Sequence, residues 1–154
     1  MAATPYVAVV GPGDASAEEV EIAEAVGVGL ARAGANVVCG GLGGVMAAAC
    51  RGAAGVGGMT VGILPGSDRG AANEWVSLAI PSGLGEMRNA LVVRCADAVI
   101  AVGGAYGTLS EIALALKTGV PVVGIGTWSI EAVERVGSAS EAVSRALELA
   151  RARI

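Results

Sequence analysis

Short, nearly unbroken apolar runs alternate along this chain with longer segments whose apolar residues recur every three or four positions. The runs are YVAVVG (6–11), ANVVCG (35–40), MTVGIL (59–64), EWVSLAI (74–80), DAVIAV (97–102) and VPVVGI (120–125). Continuous apolar runs rich in Val and Ile mark strands covered on both faces. The helical spacings fall at 16–33, 44–54, 84–95, 108–118 and 138–153. Segment 130–136 fits either a helix or a short last strand.

Local signals sharpen these elements. Ser16-Ala-Glu-Glu19 and Ser138-Ala-Ser-Glu141 are capping-box patterns ahead of apolar-periodic stretches. In the first, Val20, Ala23, Val26 and Leu30 form the apolar stripe, and Gly27 and Gly29 predict close packing against a neighbour. Leu84, Met87, Leu91 and Cys95 form another stripe. Thr108-Leu-Ser-Glu111 reads as a third capping box, and Lys117 followed by Gly119 closes that helix. Strand–helix alternation at this spacing predicts one α/β domain over 1–154. It would be a Rossmann-like, three-layer fold with a mainly parallel sheet of six or seven strands flanked by helices.

Composition then narrows the chemistry. The 154 residues are 54% hydrophobic but only 3% aromatic, with no Phe, so Val, Ala, Leu and Ile must fill the core. Ten basic residues against a net charge of −4, with no basic run, argue against a nucleic-acid partner. The longest uncharged stretch, 33–50, is broken by Asn36 and a glycine cluster, which excludes a membrane span. The start MAATPYVAVV lacks the basic region of a secretory signal, so a cytoplasmic location is expected. Cys39, Cys50 and Cys95 have no metal-ligand spacing and are expected to be buried, reduced thiols, with no metal bound. There is no histidine, which removes Ser-His-Asp and Cys-His catalysis. The single lysine, Lys117, sits at a helix end, the wrong place for a pyridoxal Schiff base, and no cofactor is expected.

Three glycine-rich turns fall at predicted strand ends: Gly11-Pro-Gly13-Asp14, Gly40-Gly41-Leu-Gly43-Gly44 and Gly103-Gly104-Ala105-Tyr106-Gly107-Thr108. Glycine lets a backbone approach a ligand closely, and a helix N-terminus presents unpaired N–H groups and partial positive charge. Together they make an anion site without basic residues. The same glycines also serve tight strand–helix turns, but three such turns at strand ends favour a phosphate-bearing ligand. The candidate contacts are Gly11, Gly13, Gly41, Gly43, Gly44, Gly104, Ala105, Tyr106, Gly107 and Thr108. No lysine follows any glycine turn, so this is not a P-loop. No acidic residue lies between Glu24 and Asp68 to hold a ribose, which disfavours NAD or FAD.

The segment MRNALVVRCADAVIAVGGAYGTLSE (87–111) resembles the arginine-bearing helix and PGGxGTxxE motif of the Lonely Guy family of cytokinin riboside 5′-monophosphate phosphoribohydrolases. VVCGGLGGVMAAACRGAAGVGGMTVGILPG (37–66) resembles the glycine turn and third strand of that superfamily. Two departures stand out: Asn89 follows Arg88 where the enzymes carry lysine, and Gly103-Gly104-Ala105 replaces Pro-Gly-Gly. This wording is closer to a branch of small proteins that resembles molybdenum cofactor carriers.

The resemblance implies a Rossmann-like fold, a phosphorylated, nucleotide-like ligand, and a dimer or tetramer. It leaves two functions open. In a hydrolase of nucleoside 5′-monophosphates, Glu111 would stabilise oxocarbenium-like charge or orient water, and Arg88 would bind ligand or position Glu111. In a carrier of molybdenum cofactor or a related phosphorylated ligand, the same turns would hold the phosphate and no bond would break. Among other residues, Asp14, Asp68 and Arg69 are either ordinary turn residues or ligand contacts, Asp97 is expected to be structural, and Trp75 and Trp128 fit packing better than base stacking.

Overall fold

A computed structural model describes residues 2–154. The elements are β1 (Tyr6–Val10), α1 (Ala17–Arg32), β2 (Asn36–Cys39), α2 (Val45–Gly55), β3 (Thr60–Leu64), β4 (Leu78–Pro81), α3 (Asn89–Arg94), β5 (Ala98–Val102), α4 (Tyr106–Lys117), β6 (Val122–Ile125), β7 (Glu134–Arg135) and α5 (Ala139–Arg151). The strands form one seven-stranded sheet in the order β4-β3-β2-β1-β5-β6-β7. Every pairing is parallel. The chain builds outward from β1 to β4, then crosses back to place β5 on the other side of β1. The strand order therefore reverses between β1 and β5, the place where such sheets bind ligands.

Side chains alternate across each strand, so the apolar runs feed two cores. Val7, Val9, Val37, Ile100, Val102 and Val123 pack under α1, α2 and α5. Ala8, Val10, Val38, Val61 and Ile63 pack with Val92 and Val93 of α3 and with Ile112 and Ala115 of α4. Small residues bring the helices close, as the sequence predicts. A Cβ on Gly27 would lie 2.1 Å from the Ala49 carbonyl oxygen, and one on Gly29 would lie 3.0 Å from Val143.

The expected elements differ from the structure chiefly at three places, and one open choice is decided. The fourth strand starts at Leu78 rather than Glu74, because Asn73–Val76 turn back instead of extending. The Asn73 amide there donates to the Gly41 carbonyl at 2.9 Å and to the Leu42 carbonyl at 2.9 Å through Nδ2. Residues 84–95 are not one helix: a 3-10 turn at Gly85–Arg88 precedes α3. Gly85 has φ +59, outside the helical region, and Arg88 turns inward. The ambiguous 130–136 segment forms the short strand β7. Finally, α4 begins at Tyr106, so the Thr108–Glu111 capping box does not form and Ala105 is the N-cap. The capping box at Ser16 and Glu19 is complete. At α5 the Ser138 hydroxyl caps Glu141 N–H, while Glu141 accepts from Gly137 rather than from Ser138.

Candidate functional site

The three glycine turns meet at the strand-order reversal. A Cβ on Gly11 would lie 2.4 Å from the Val102 carbonyl oxygen, so the first turn sits against the end of β5. Val45 N–H donates to the Pro12 carbonyl at 3.1 Å, which ties the first turn to the start of α2. Gly44, at φ +62, would place a Cβ 2.3 Å from that same carbonyl oxygen. Close approach to neighbouring backbone thus accounts for Gly11 and Gly44. Gly41 has φ +77 and lies under Leu64.

Gly13, Gly43 and Gly107 are of another kind. All three are exposed. None has positive φ among the described residues. A Cβ on Gly107 would meet nothing within 4 Å; on Gly13 the nearest atom is Met46 Cε at 4.0 Å, and on Gly43 it is the Gly13 carbonyl oxygen at 3.8 Å. Neither packing nor conformation requires glycine there. The backbone is simply left bare beside two helix starts.

Those two helix starts also differ from the starts of α1 and α5. Ser16 and Ser138 cap α1 and α5. The N-caps of α2 and α4, Gly44 and Ala105, supply no side-chain hydrogen bond. The first-turn N–H groups of a helix have no partner within it. At α4, Thr108 is 1% exposed, and its buried Oγ1 has no hydrogen-bond partner. These donors and the helix dipoles favour an anion.

Glu111 lies one turn further along α4 and is 7% exposed. Freed from capping, its carboxylate accepts no hydrogen bond among the described residues. Burial pushes its pKa up to about 7, and the charge of Arg88 opposes part of that rise. Arg88 is itself buried, with its guanidinium held by backbone. Nε donates to the Ile63 carbonyl at 2.8 Å, and Nη2 lies 3.4 Å from the Gly40 carbonyl. Nη1 donates to Asn89 Oδ1. Asn89 Nδ2 donates to Ser110 Oγ at 3.0 Å, and Ser110 Oγ donates to the Gly107 carbonyl at 2.7 Å. Side chains therefore link the arginine under the second glycine turn to the third turn.

Sequence reasoning did not single out Ser110 or Asn73, and it noted Asn89 only as a departure. The signal for Asn89 was its place next to Arg88. Asn73 gave none, because it reaches the Gly40–Gly44 turn across more than thirty residues. Trp128 packs as expected, stacked on Tyr106 with its Nε1 donating to the Ala105 carbonyl at 3.0 Å. Trp75 lies under the Arg51 guanidinium. Asp97 accepts from Tyr6 N–H at 2.9 Å and Asp68 from Gly70 N–H at 2.8 Å, both structural roles. Asp14 and Arg69 are exposed.

Cys39 and Cys50 are buried with their sulfurs 3.4 Å apart, but Cys95 is exposed, against expectation, as are Leu84, Met87 and Leu91 earlier in the same segment. No group of three or more His, Cys, Asp or Glu among the described residues is arranged to hold a metal. No helix among them is long and apolar enough to cross a membrane. A concavity of about 710 Å³ lies between α1 and α5, and none of the three glycine turns lines it.

A family model, the SLOG cluster4 family, matches residues 4–152, and the chain belongs to that family. An uncharacterised protein of Archaeoglobus fulgidus is 42% identical over 119 residues, covering 77% of this chain and 78% of that one. The molybdenum cofactor binding protein of Rippkaea orientalis superposes with a TM-score of 0.90 at 32% identity, over 96% of this chain and 98% of that one. The molybdenum cofactor carrier protein of Chlamydomonas reinhardtii superposes with a TM-score of 0.88 at 31% identity, with the same coverage of each chain.

Proposed function

We propose that this protein binds and carries a phosphorylated small molecule of the molybdenum cofactor kind, without breaking a bond in it. The observation that carries this reading is the pair of uncapped helix starts, α2 and α4, meeting at the strand-order reversal beside the bare glycines Gly13, Gly43 and Gly107. The ligand's phosphate would accept from the N–H groups around Gly43, Gly107 and Thr108, and from the unpartnered Thr108 hydroxyl. Gly104, Ala105 and Tyr106 would line the rim. With its pKa near 7, Glu111 is about half protonated at neutral pH. A protonated carboxyl donates to an anionic ligand where a carboxylate would repel it. The likeness to two proteins named for molybdenum cofactor binding or carriage supports this choice of cargo.

The test is co-purification. The protein is isolated natively from cells that make the cofactor, then oxidised and assayed for pterin fluorescence and for molybdenum. Both signals in stoichiometric amount support the reading, and neither signal contradicts it.

One observation favours a second reading, hydrolysis of the N-glycosidic bond of a nucleoside 5′-monophosphate. Glu111 caps nothing and has the raised pKa that acid–base chemistry uses. Arg88 would then hold Glu111 in place through its charge. This reading requires release of free base from a purine or pyrimidine monophosphate and its loss in Glu111→Gln. No release across the panel overturns it.

We also propose a homo-oligomer, a dimer or tetramer of this cytoplasmic domain. Leu84, Met87 and Leu91 are 51%, 75% and 39% exposed within one short segment, apolar surface of the sort oligomer contacts cover.

A further inference from the structure

The mouth of the third glycine turn carries an aromatic pair that phosphate binding does not use. The chain has two tyrosines, two tryptophans and no phenylalanine. One of each sits here, with ring centroids 6.0 Å apart and planes 27° from parallel. Trp128 is fixed by the bond from Nε1 to the Ala105 carbonyl. A Cβ on Gly104 would lie 3.0 Å from that nitrogen, so a larger residue would crowd the indole. Tyr106 rests on this fixed ring, yet it remains 83% exposed, more than any other large apolar or aromatic side chain among the described residues. Its outer face is open. A concavity of about 440 Å³ adjoins Trp128, lined also by Glu19, Gly104, Gly126, Thr127 and Ser129.

The placement matters because Tyr106 is the first residue of α4 and is followed at once by Gly107 and Thr108. The aromatic face and the helix-start N–H groups are therefore neighbours along the backbone. A ligand with a phosphate on the N–H groups has its next moiety beside that face. Aromatic faces stack on planar, electron-delocalised rings, and a ring already held by a second aromatic loses little freedom on binding.

We infer that Tyr106, supported by Trp128, is a stacking subsite for a planar heteroaromatic ring joined to the phosphate. This inference rests on the reading of the glycine turns as a phosphate site. It narrows the ligand class to phosphorylated heterocycles and disfavours sugar phosphates and inorganic phosphate. The platform selects by shape and π-face, so it accepts purines and pterin-like bicycles alike.

The test compares AMP and GMP with ribose 5-phosphate by calorimetric titration of the intact protein, of Tyr106→Ala and of Tyr106→Phe. The wild-type protein is expected to bind the two nucleotides about ten-fold or more tightly than the sugar phosphate. Tyr106→Ala is expected to erase that preference, and Tyr106→Phe to keep it. Equal binding of all three probes to the wild-type protein overturns the subsite and leaves the phosphate site standing. A preference that survives Tyr106→Ala also overturns it. Binding of no probe overturns the phosphate reading and this inference with it.

Discussion

Glu111 is buried beside Arg88, feels its charge, and accepts no hydrogen bond from it. The guanidinium is turned instead to the carbonyls of Ile63 and Gly40 and to Asn89. A carboxyl in this position keeps its proton well above the usual carboxylate range, because burial outweighs the nearby positive charge.

A folded-state pKa raised from 4.5 to about 7 gives a defined stability profile. The protonated carboxyl contributes stability fully below about pH 4.5, and that contribution is lost as pH rises through about 7. The loss amounts to about 3 kcal/mol as an order of magnitude. Glu111→Gln should therefore unfold like the wild type at pH 4 and be more stable than it at pH 8. Urea unfolding at both pH values checks this. A wild-type stability that does not fall across this window, relative to the glutamine variant, contradicts the pKa.

Removing the positive charge should push Glu111 further up. Arg88→Met leaves the Ile63 and Gly40 carbonyls without their donor, at a cost of about 2–3 kcal/mol. It should also raise the Glu111 pKa above about 7, read from the carboxyl carbon signal in an NMR pH titration. An unchanged or lower value would show that Arg88 does not act on Glu111.

The glycines should separate into two classes. Gly11→Ala, with backbone 2.4 Å from the new Cβ, should cost about 1–3 kcal/mol of stability. Gly107→Ala meets open space inside α4 and should gain about 0.5–1 kcal/mol, while binding of a phosphorylated probe weakens. Thermal denaturation and calorimetry measure the two effects. Equal destabilisation by both substitutions would remove the distinction.

The outward stripe gives a test of assembly. Met87→Asp places a charge in the exposed row of Leu84, Met87 and Leu91 and should lower the mass seen by light scattering to that of one chain. Labelling of the exposed Cys95, in the same segment, should become faster. A wild-type protein that is already monomeric at micromolar concentration ends the proposal of an oligomer.

Most of the architecture was legible in the chain, because the inner strands β2, β3, β1, β5 and β6 are buried on both faces and most helices carry their own stripe. The parallel sheet, the close α1–α2 approach at Gly27 and the meeting of glycine turns at strand ends all follow from local pattern. What was not legible depends on distant partners. The fourth strand is shortened by Asn73, which clamps a turn more than thirty residues earlier. The helix at 84–95 breaks because Arg88 is drawn inward to carbonyls on β3 and beside β2. Thr108 and Glu111 have the spacing of a capping box, yet α4 starts at Tyr106. The spacing alone could not say which end of the glycine turn the helix would reach. That single shift turned Glu111 from a cap into a buried, unbonded carboxyl.

The proposed anion site is built from all three glycine turns together. Its most direct test follows the backbone amide signals of the isotope-labelled protein by NMR during titration with ribose 5-phosphate and then AMP. The amides of Gly13, Gly43, Gly107 and Thr108 are expected to shift together, with a single affinity. Shifts confined to the groove between α1 and α5, or none at these four amides with either compound, would contradict it.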